Sequence, residues 1–459
     1  MKIVILGAGQ VGSNTAEKLA SEGNDITVVD TNTSLLEHLQ DRLDIRTVTG
    51  HAAYPETLER AGLRGADLLV AVTQNDEVNM IACQVAKTLF QTKKRIARIR
   101  STPYLQTRLG GENGIFSIDV IISPEKLVTD YLFDLISQPE VTESLAFFDG
   151  MAQLVAVRVD DKSEMSGKPV KHLLSILPEV SLRVAAIFRS DKLLPDAGNS
   201  MLLSNDEIFF LAKREDITPA IKVFRPDYQP YQQIIIGGGG NIGRQLAEKL
   251  QNNLSVKVIE QNPEQASQLA KDLPDCTVLQ GDTGDAELLK NEHIEESDVF
   301  CAVTNDDEAN ILSAMLAKRM KARKVFSIIS KASHVDLIRE TKIDIAISPA
   351  QITIGSLLTH IRKGDVVMVH SLRQGAAEAM EIIAHGDKKT SRVVGRQISE
   401  IPLPESSTVA AILRDDDILF PAPQDRIDSG DHLVIFTANR KDVQAVEKLF
   451  HVDFPEKTD

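Results

Sequence analysis

The chain carries one long pattern twice, and that duplication constrains its fold more than any other feature. KIVILGAGQVGSNTAEKLA from Lys2 returns as QIIIGGGGNIGRQLAEKLQ from Gln233. The match stays in step. ITVVD ending at Asp30 answers VKVIE ending at Glu260, and TVTG ending at Gly50 answers VLQG ending at Gly281. DLLVAVTQNDEVNM (Asp67–Met80) answers DVFCAVTNDDEANI (Asp298–Ile311), and DVIISPE (Asp119–Glu125) answers DIAISPA (Asp344–Ala350). Two later segments repeat too: VAAIFRSDKLLP from Val184 with VAAILRDDDILF from Val409, and DEIFFLAKREDI from Asp206 with DHLVIFTANRKDV from Asp431. Each half is therefore a larger unit followed by a smaller one.

In the larger unit, short β-branched runs (IVIL, ITVV, LLVAV, IARI, VII) alternate with helical patterns such as VGSNTAEKLA and EVNMIACQVAKTL. Strand–helix alternation of this kind predicts a parallel sheet covered on both faces. The fold class is α/β: two Rossmann-like, doubly wound domains, each followed by a small α+β domain. Boundaries fall at about 1–123, 143–227, 232–348 and 368–453, and the linker Arg225–Gln232, with two prolines and no periodicity, divides the halves. Leu127, Tyr131, Leu132 and Leu135 after Pro124, and Ile354, Leu357, Leu358 and Ile361 after Pro349, sit at helical spacing. Both stretches read as amphipathic exit helices, packing on their own unit or on another subunit. The small domains show strands at LVAVRV, VAAIFR and EIFFLA and their repeats, with no nucleotide loop, metal spacing or nucleophile motif.

Gly7-x-Gly9-x-x-Gly12 follows a strand and opens a helix, which is the context that gives a GxGxxG pattern its meaning. Gly7 permits a tight turn, Gly9 lets a diphosphate approach the backbone, and Gly12 lets helix and strand pack closely. With Ala8, Gln10 and Val11 the loop would hold the diphosphate on free N–H groups at the positive end of the helix dipole. Asp30 ends the second strand, where a carboxylate accepts from ribose hydroxyls. The second copy offers Gly238, Gly239, Gly240, Asn241, Ile242 and Gly243, with Glu260 at the strand end. A carboxylate there repels a 2′-phosphate, so NAD(H) is favoured over NADP(H), while ATP or ADP stays open. Thr73, Gln74 and Asn75, with Thr304 and Asn305 in the repeat, follow the fourth strand, where they contact ligand, cap a helix, or both. Arg98 ends the next strand, either neutralising ligand phosphate or standing in solvent; its counterpart is read as Ser327, and that of Arg100 as Ile329.

Other classes are disfavoured. A net charge of −15 argues against nucleic acid. No apolar run approaches the roughly 18 residues needed to span a bilayer, and no signal peptide opens the chain. Cys83, Cys276 and Cys301 form no CxxC pair and suggest a reducing compartment. Aromatics are only 4%, without Trp, so the cores should be aliphatic. Neither a metal site nor a catalytic constellation is found: the ten histidines do not match between halves, His51 answering Asp282. An NAD-dependent oxidoreductase with a duplicated domain is the alternative reading, and a nucleotide sensor for some other partner is a third.

Taken together, these residues resemble the RCK/KTN family, which regulates potassium channels and transporters. The resemblance runs over nearly the whole chain: the glycine loop and strand-end acid, Gly50, Ala66-Asp67, Val72-Thr73, the Ser123-Pro124 exit, a small C-terminal domain, then the repeat. It implies a cytosolic regulatory protein on the inner face of a membrane potassium translocator of the Trk type. It also implies a ring of four chains, binding of NAD(H) and possibly ATP/ADP, and hinges near residues 137–142 and 361–366.

Overall fold

Strand β1 (Lys2–Leu6) is buried along nearly all its length, and its alternate residues feed two different cores. Ile3 and Ile5 face one hydrophobic cluster, Val4 and Leu6 the other. Only a sheet covered on both faces needs such a strand. The computed structural model describes residues 1–111, 114–194, 198–331, 334, 343–361, 366–372 and 376–451. Residues 362–365, within the second expected hinge, lie outside them.

The first parallel sheet adds β2 (Asp25–Asp30), β3 (Arg46–Thr49), β4 (Leu68–Ala71), β5 (Lys94–Arg98) and β6 (Val120–Ile122), in the order β3-β2-β1-β4-β5-β6. Helices α1 (Gln10–Ser21), α2 (Thr33–Gln40), α3 (Pro55–Arg60), α4 (Asp76–Phe90) and the one-turn α5 (Thr102–Leu105) connect them, and α6 (Pro124–Ser137) leaves the sheet.

The first small domain is antiparallel: β7 (Val141–Phe147), β8 (Ala152–Arg158), β9 (Leu182–Arg189), β10 (Lys192–Leu193) and β11 (Glu207–Lys213), in the order β10-β9-β11-β8-β7. The short α7 (Leu173–Ile176) and the closing α8 (Ile217–Phe224) belong to it. The second half repeats both sheets. β12 (Gln233–Gly237), β13 (Ser255–Glu260), β14 (Thr277–Gln280), β15 (Val299–Ala302), β16 (Lys324–Ile328) and β17 (Ile345–Ile347) run β14-β13-β12-β15-β16-β17. Its helices are α9 (Asn241–Leu250), α10 (Pro263–Asp272), α11 (Ala286–Asn291), α12 (Asp307–Arg319) and the exit helix α13 (Pro349–Ile361). β18 (Val366–Leu372), β19 (Ala377–Ile383), β20 (Ser407–Arg414), β21 (Asp417–Leu419) and β22 (His432–Thr437), closed by α14 (Val443–Phe450), form the last sheet. The leading strands β7 and β18 and the short β10 and β21 were not foreseen from the sequence.

The chain divides into two compact units, and the division does not follow the repeat. The first unit joins Met1–Leu127 to α13 of the second half. There α13 packs on α1 and β6, sinking Ile354, Leu357, Leu358 and Ile361 among Ile3, Ile5, Leu19 and Ile96. The Lys94 ammonium donates to the His360 carbonyl at 2.6 Å. Each core leucine contributes about 2 kcal/mol or more by leaving water. The exit helix is thus buried on a sheet that belongs to the other half of the duplication.

The second unit holds the rest. There Lys249, near the end of α9, pairs with Asp130 of α6 and lies 5.3 Å from the Phe133 ring. The two small domains of this unit share a core in which Phe209 and Phe436 meet at 5.5 Å. The expected aliphatic core therefore describes the parallel sheets better than this one, which also takes in Phe147, Phe148 and Phe188. Residues 137–142, expected as a hinge, form a fastened turn. Glu140, with φ of +72°, accepts from Arg225 at 2.7 Å and Arg323 at 2.9 Å, with Lys324 at 3.7 Å. Burial alone would raise its carboxyl; Lys324, Arg323 and Arg225 together hold it below the ordinary value. The linker is fastened as well, with Tyr231 buried under Arg323 at 5.0 Å.

Candidate functional site

The glycine turn of the first sheet is built as the spacing requires. Gly7 has φ of +106°, and a Cβ there would meet the Thr73 backbone at 3.1 Å. A Cβ on Gly12 would stand 1.9 Å from the Gly7 carbonyl, so no larger residue fits the crossing of turn and helix. Gly9 is different: a Cβ there meets nothing within 4 Å. It caps α1 without a side-chain capping bond, and the first turn carries no acidic side chain. Gln10 and Val11 form the first helical turn behind it, Gln10 exposed and Val11 packed on the core.

Asp30 is aimed at this loop. Its Oδ2 accepts the Ala8 N–H at 2.6 Å and its Oδ1 the Asn32 N–H at 2.8 Å. Each oxygen keeps a further lone pair, so the carboxylate braces the loop while still able to accept hydroxyls. The second copy repeats the arrangement. Gly238 has φ of +114°, a Cβ on Gly243 would stand 1.9 Å from the Gly238 carbonyl, and Gly240 is open. Asn241 and Ile242 begin α9, whose first turn is likewise free of acids. Glu260 accepts from Gly239 and Asn262, both at 2.8 Å. The second loop also has a brace of its own, Gln265 Nε2 to the Gly239 carbonyl at 2.8 Å.

Beyond the loops, Thr73 and Thr304 are held by a residue the sequence reading passed over. Asn79, fully buried in α4, accepts from the Thr73 N–H at 3.0 Å and its hydroxyl at 2.7 Å. It donates to the Thr73 carbonyl at 3.2 Å and the Arg98 carbonyl at 2.9 Å. Asn310 makes the same bonds to Thr304 and to the Ile328 carbonyl. The signal was present as a repeated Asn four residues after Asn75 and four after Asp306. Asn75 caps α4 through Val78 at 2.7 Å, while Gln74 and Asn305 are exposed.

The two edges diverge at the next strand, and here the sequence register needs correction. Ala71 pairs with Ala97 and Ala302 with Ser327, so Ser327 answers Ala97. The counterpart of Arg98 is Ile328, and that of Arg100 is Ser330. Strand side chains alternate, so a one-residue slip moves the comparison to the opposite face. Ser327 is buried with its Oγ unpartnered, away from the edge it was read into. The contrast survives in sharper form, a cation facing an apolar side chain. Arg98 Nε is buried and unpartnered. Burial, then the neighbouring Arg100, pushes its guanidinium below the ordinary value, with Glu125 and Asp76 opposing. Arg100 is engaged by Glu125 at 2.6 Å. In the second copy Lys331 stands at the position of Ser101 and is paired with Glu308 at 3.0 Å.

This geometry, two glycine turns on two parallel sheets each followed by an antiparallel domain, is matched segment by segment by known families. The TrkA-N domain model matches residues 3–124 and 234–349, and the TrkA-C domain model matches 154–225 and 388–451. The chain belongs to the TrkA family. It is 49% identical to the Trk system potassium uptake protein TrkA of Halomonas elongata, over 98% of this chain and 99% of that one. It is 47% identical to the protein of the same description from Vibrio alginolyticus, over 98% of each. Among solved structures it is similar in fold to the GsuK RCK domain, with TM-score 0.61 and 18% identity, over 98% of this chain and 94% of that one. The GsuK channel bound to NAD gives TM-score 0.60 at 18% identity, over 98% and 78%. Among the described residues no helix is long and apolar enough to cross a membrane, and no group of acidic, His and Cys side chains could hold a metal.

Proposed function

We propose that this chain is a nucleotide-binding regulatory subunit that gates a membrane potassium-uptake system of the Trk type from its cytosolic face, without catalysis of its own. One observation carries the reading: the same arrangement of turn, helix start and strand-end acid occurs twice. In each copy a positive-φ glycine turn, an open helix N-terminus and a carboxylate braced to the loop converge on one strand edge. These residues suit a dinucleotide or adenine nucleotide, NAD(H) foremost and ATP or ADP besides. The loop N–H groups would take the diphosphate, Asp30 and Glu260 the ribose hydroxyls, and Arg98 a further phosphate charge in the first copy. The relatives' description as potassium uptake proteins supports the partner, and the NAD-bound GsuK channel supports the ligand class.

Such a ligand acts by population shift. It biases the gate only as far as it binds one conformation more tightly than another. Assembly with further copies is supported by α4 and α12, which leave Ile81 44% exposed and Leu312 66% exposed at equivalent positions. The exit helices, first read as possible contacts between subunits, no longer support it, because α13 is spent on the chain's own first sheet.

The test is potassium uptake in cells lacking their own copy of this protein, restored by the wild type or by Gly9→Asp with Gly240→Asp. Both glycines have room for the new side chain, so the carboxylates repel phosphate without a clash. Uptake that responds to nucleotide only with the wild type, and co-purification with the membrane translocator, are expected. Equal uptake from both proteins, or steady enzyme-dependent NADH consumption lost in Gly9→Asp, would refute the reading.

A further inference from the structure

The loop after β3 contains a pair of rings that the reading above does not use. His51 and Tyr54 stack with centroids 4.4 Å apart and planes at 30°. Tyr54 is 60% exposed, although it occupies the N-cap position of α3, where it makes no capping bond. The second copy follows the preference for small polar caps. Asp285, the counterpart of Tyr54, caps α11 by accepting from Glu287 at 2.8 Å and Leu288 at 3.3 Å. Asp282, the counterpart of His51, accepts from Gly284 at 2.8 Å. The backbones are otherwise equivalent, with Tyr54 N–H to the His51 carbonyl and Asp285 N–H to the Asp282 carbonyl, both 3.1 Å. The first copy thus gives up a helix cap, a favourable feature in its repeat, to expose a stacked aromatic pair.

The place of that pair gives it a use. Across the sheet the order is β1, β2, β3. The glycine turn ends β1, and Asp30 ends β2. The Gly50 N–H is bonded to the Asp30 carbonyl at 2.9 Å, so His51 follows one residue beyond the ribose acid. A nucleotide with its diphosphate over β1 and its ribose at β2 therefore extends its base toward β3. The His51 Nδ1 accepts the Ala53 N–H at 3.3 Å, which fastens the lower ring of the pair to the loop backbone.

Resting on the nucleotide reading, we propose that His51 and Tyr54 form a nucleobase platform, by which the first site, and not the second, recognises the base of its ligand. A base stacks on the exposed Tyr54 face while His51 backs the ring from its other side. The second site, with two carboxylates turned to its own backbone, holds its ligand by diphosphate and ribose alone.

The test uses the full chain carrying Gly240→Asp, so that one site remains, titrated with ATP and with inorganic tripolyphosphate, which has no base. Tyr54→Ser supplies a neutral cap and removes the ring. ATP affinity is expected to fall about tenfold, the range of one base–aromatic stack, with tripolyphosphate unchanged and Tyr54→Phe close to wild type. Lacking Trp and with only five Tyr, the chain also reports directly: ATP should quench tyrosine emission, and Tyr54→Ser should abolish most of that change. Equal losses for both ligands, or unchanged ATP affinity in Tyr54→Ser, would overturn the platform while leaving the nucleotide site standing. ATP binding that is absent, or indifferent to Gly9→Asp, would remove the nucleotide reading and the platform with it.

Discussion

Asn79 and Asn310 make the same four hydrogen bonds, yet the carbonyl that each holds one strand away belongs to Arg98 in one copy and Ile328 in the other. The frame beneath the two edges has been kept and the rim rewritten. The same holds on the far side, where Tyr54 stands in one copy and the capping Asp285 in the other. The difference teaches that the turn, latch and strand-end acid belong to the shared frame of both edges. The residues that differ stand, on the proposed reading, at either end of a bound nucleotide, where they would give the two sites different ligand preferences.

That comparison can be broken most forcefully from outside it. Leu357 is fully buried in the core of the first unit although it comes from the second half. Leu357→Ala should cost about 2–5 kcal/mol and loosen the first sheet. Hydrogen exchange should speed up in β1 and α1 more than in β12 and α9; the reverse pattern would show that α13 belongs to its own half. Next come the latches. Asn79→Ala and Asn310→Ala each leave a half-buried Thr backbone without its side-chain partner, and each should cost roughly 1–3 kcal/mol. Similar shifts in the denaturation of the full chain would confirm a shared frame, and a large loss in one alone would end the equivalence.

At the rim the effects are smaller. Arg98→Ile converts the first edge to the second and should lower ATP affinity about tenfold by calorimetry, from a charge-assisted bond of roughly 1.5–3 kcal/mol. Ile328→Arg should move the second site in the opposite direction. No change in either would remove Arg98 as a phosphate ligand. Smallest of all, Tyr54→Ser should stabilise α3 by about 0.5–1 kcal/mol, seen as slower local exchange, because it restores the cap that Asp285 provides in the repeat.

Much of this was legible in the residues. The duplication and the strand–helix alternation foretold the sheets, and GxGxxG with a strand-end acid foretold where Asp30 and Glu260 point. Three things were not legible, each for a physical reason. The register of Arg98 was misjudged by one because VFSII is apolar on both faces, so hydrophobicity gives no phase. The latch Asn79 was missed because an Asn in the first turn of a helix looks like ordinary capping chemistry until its burial is seen. The destination of α13 was open because an amphipathic face states that it needs a partner without naming one. In β7, VTESLAF hides a strand behind polar residues that turn out half-buried or paired, such as Glu143 and Ser144.

The position of α13 also sets a timetable for synthesis. The strands of the first sheet leave the ribosome by residue 122, but the helix that seals one of their faces ends at residue 361. At about 5–20 residues per second the growing chain spends roughly 10–50 s with that face lacking its own cover. During that interval Ile3, Ile5 and Ile96 lack the side chains of α13 that cover them in the finished chain. The first domain to be made is finished only after a helix of the other half has been made.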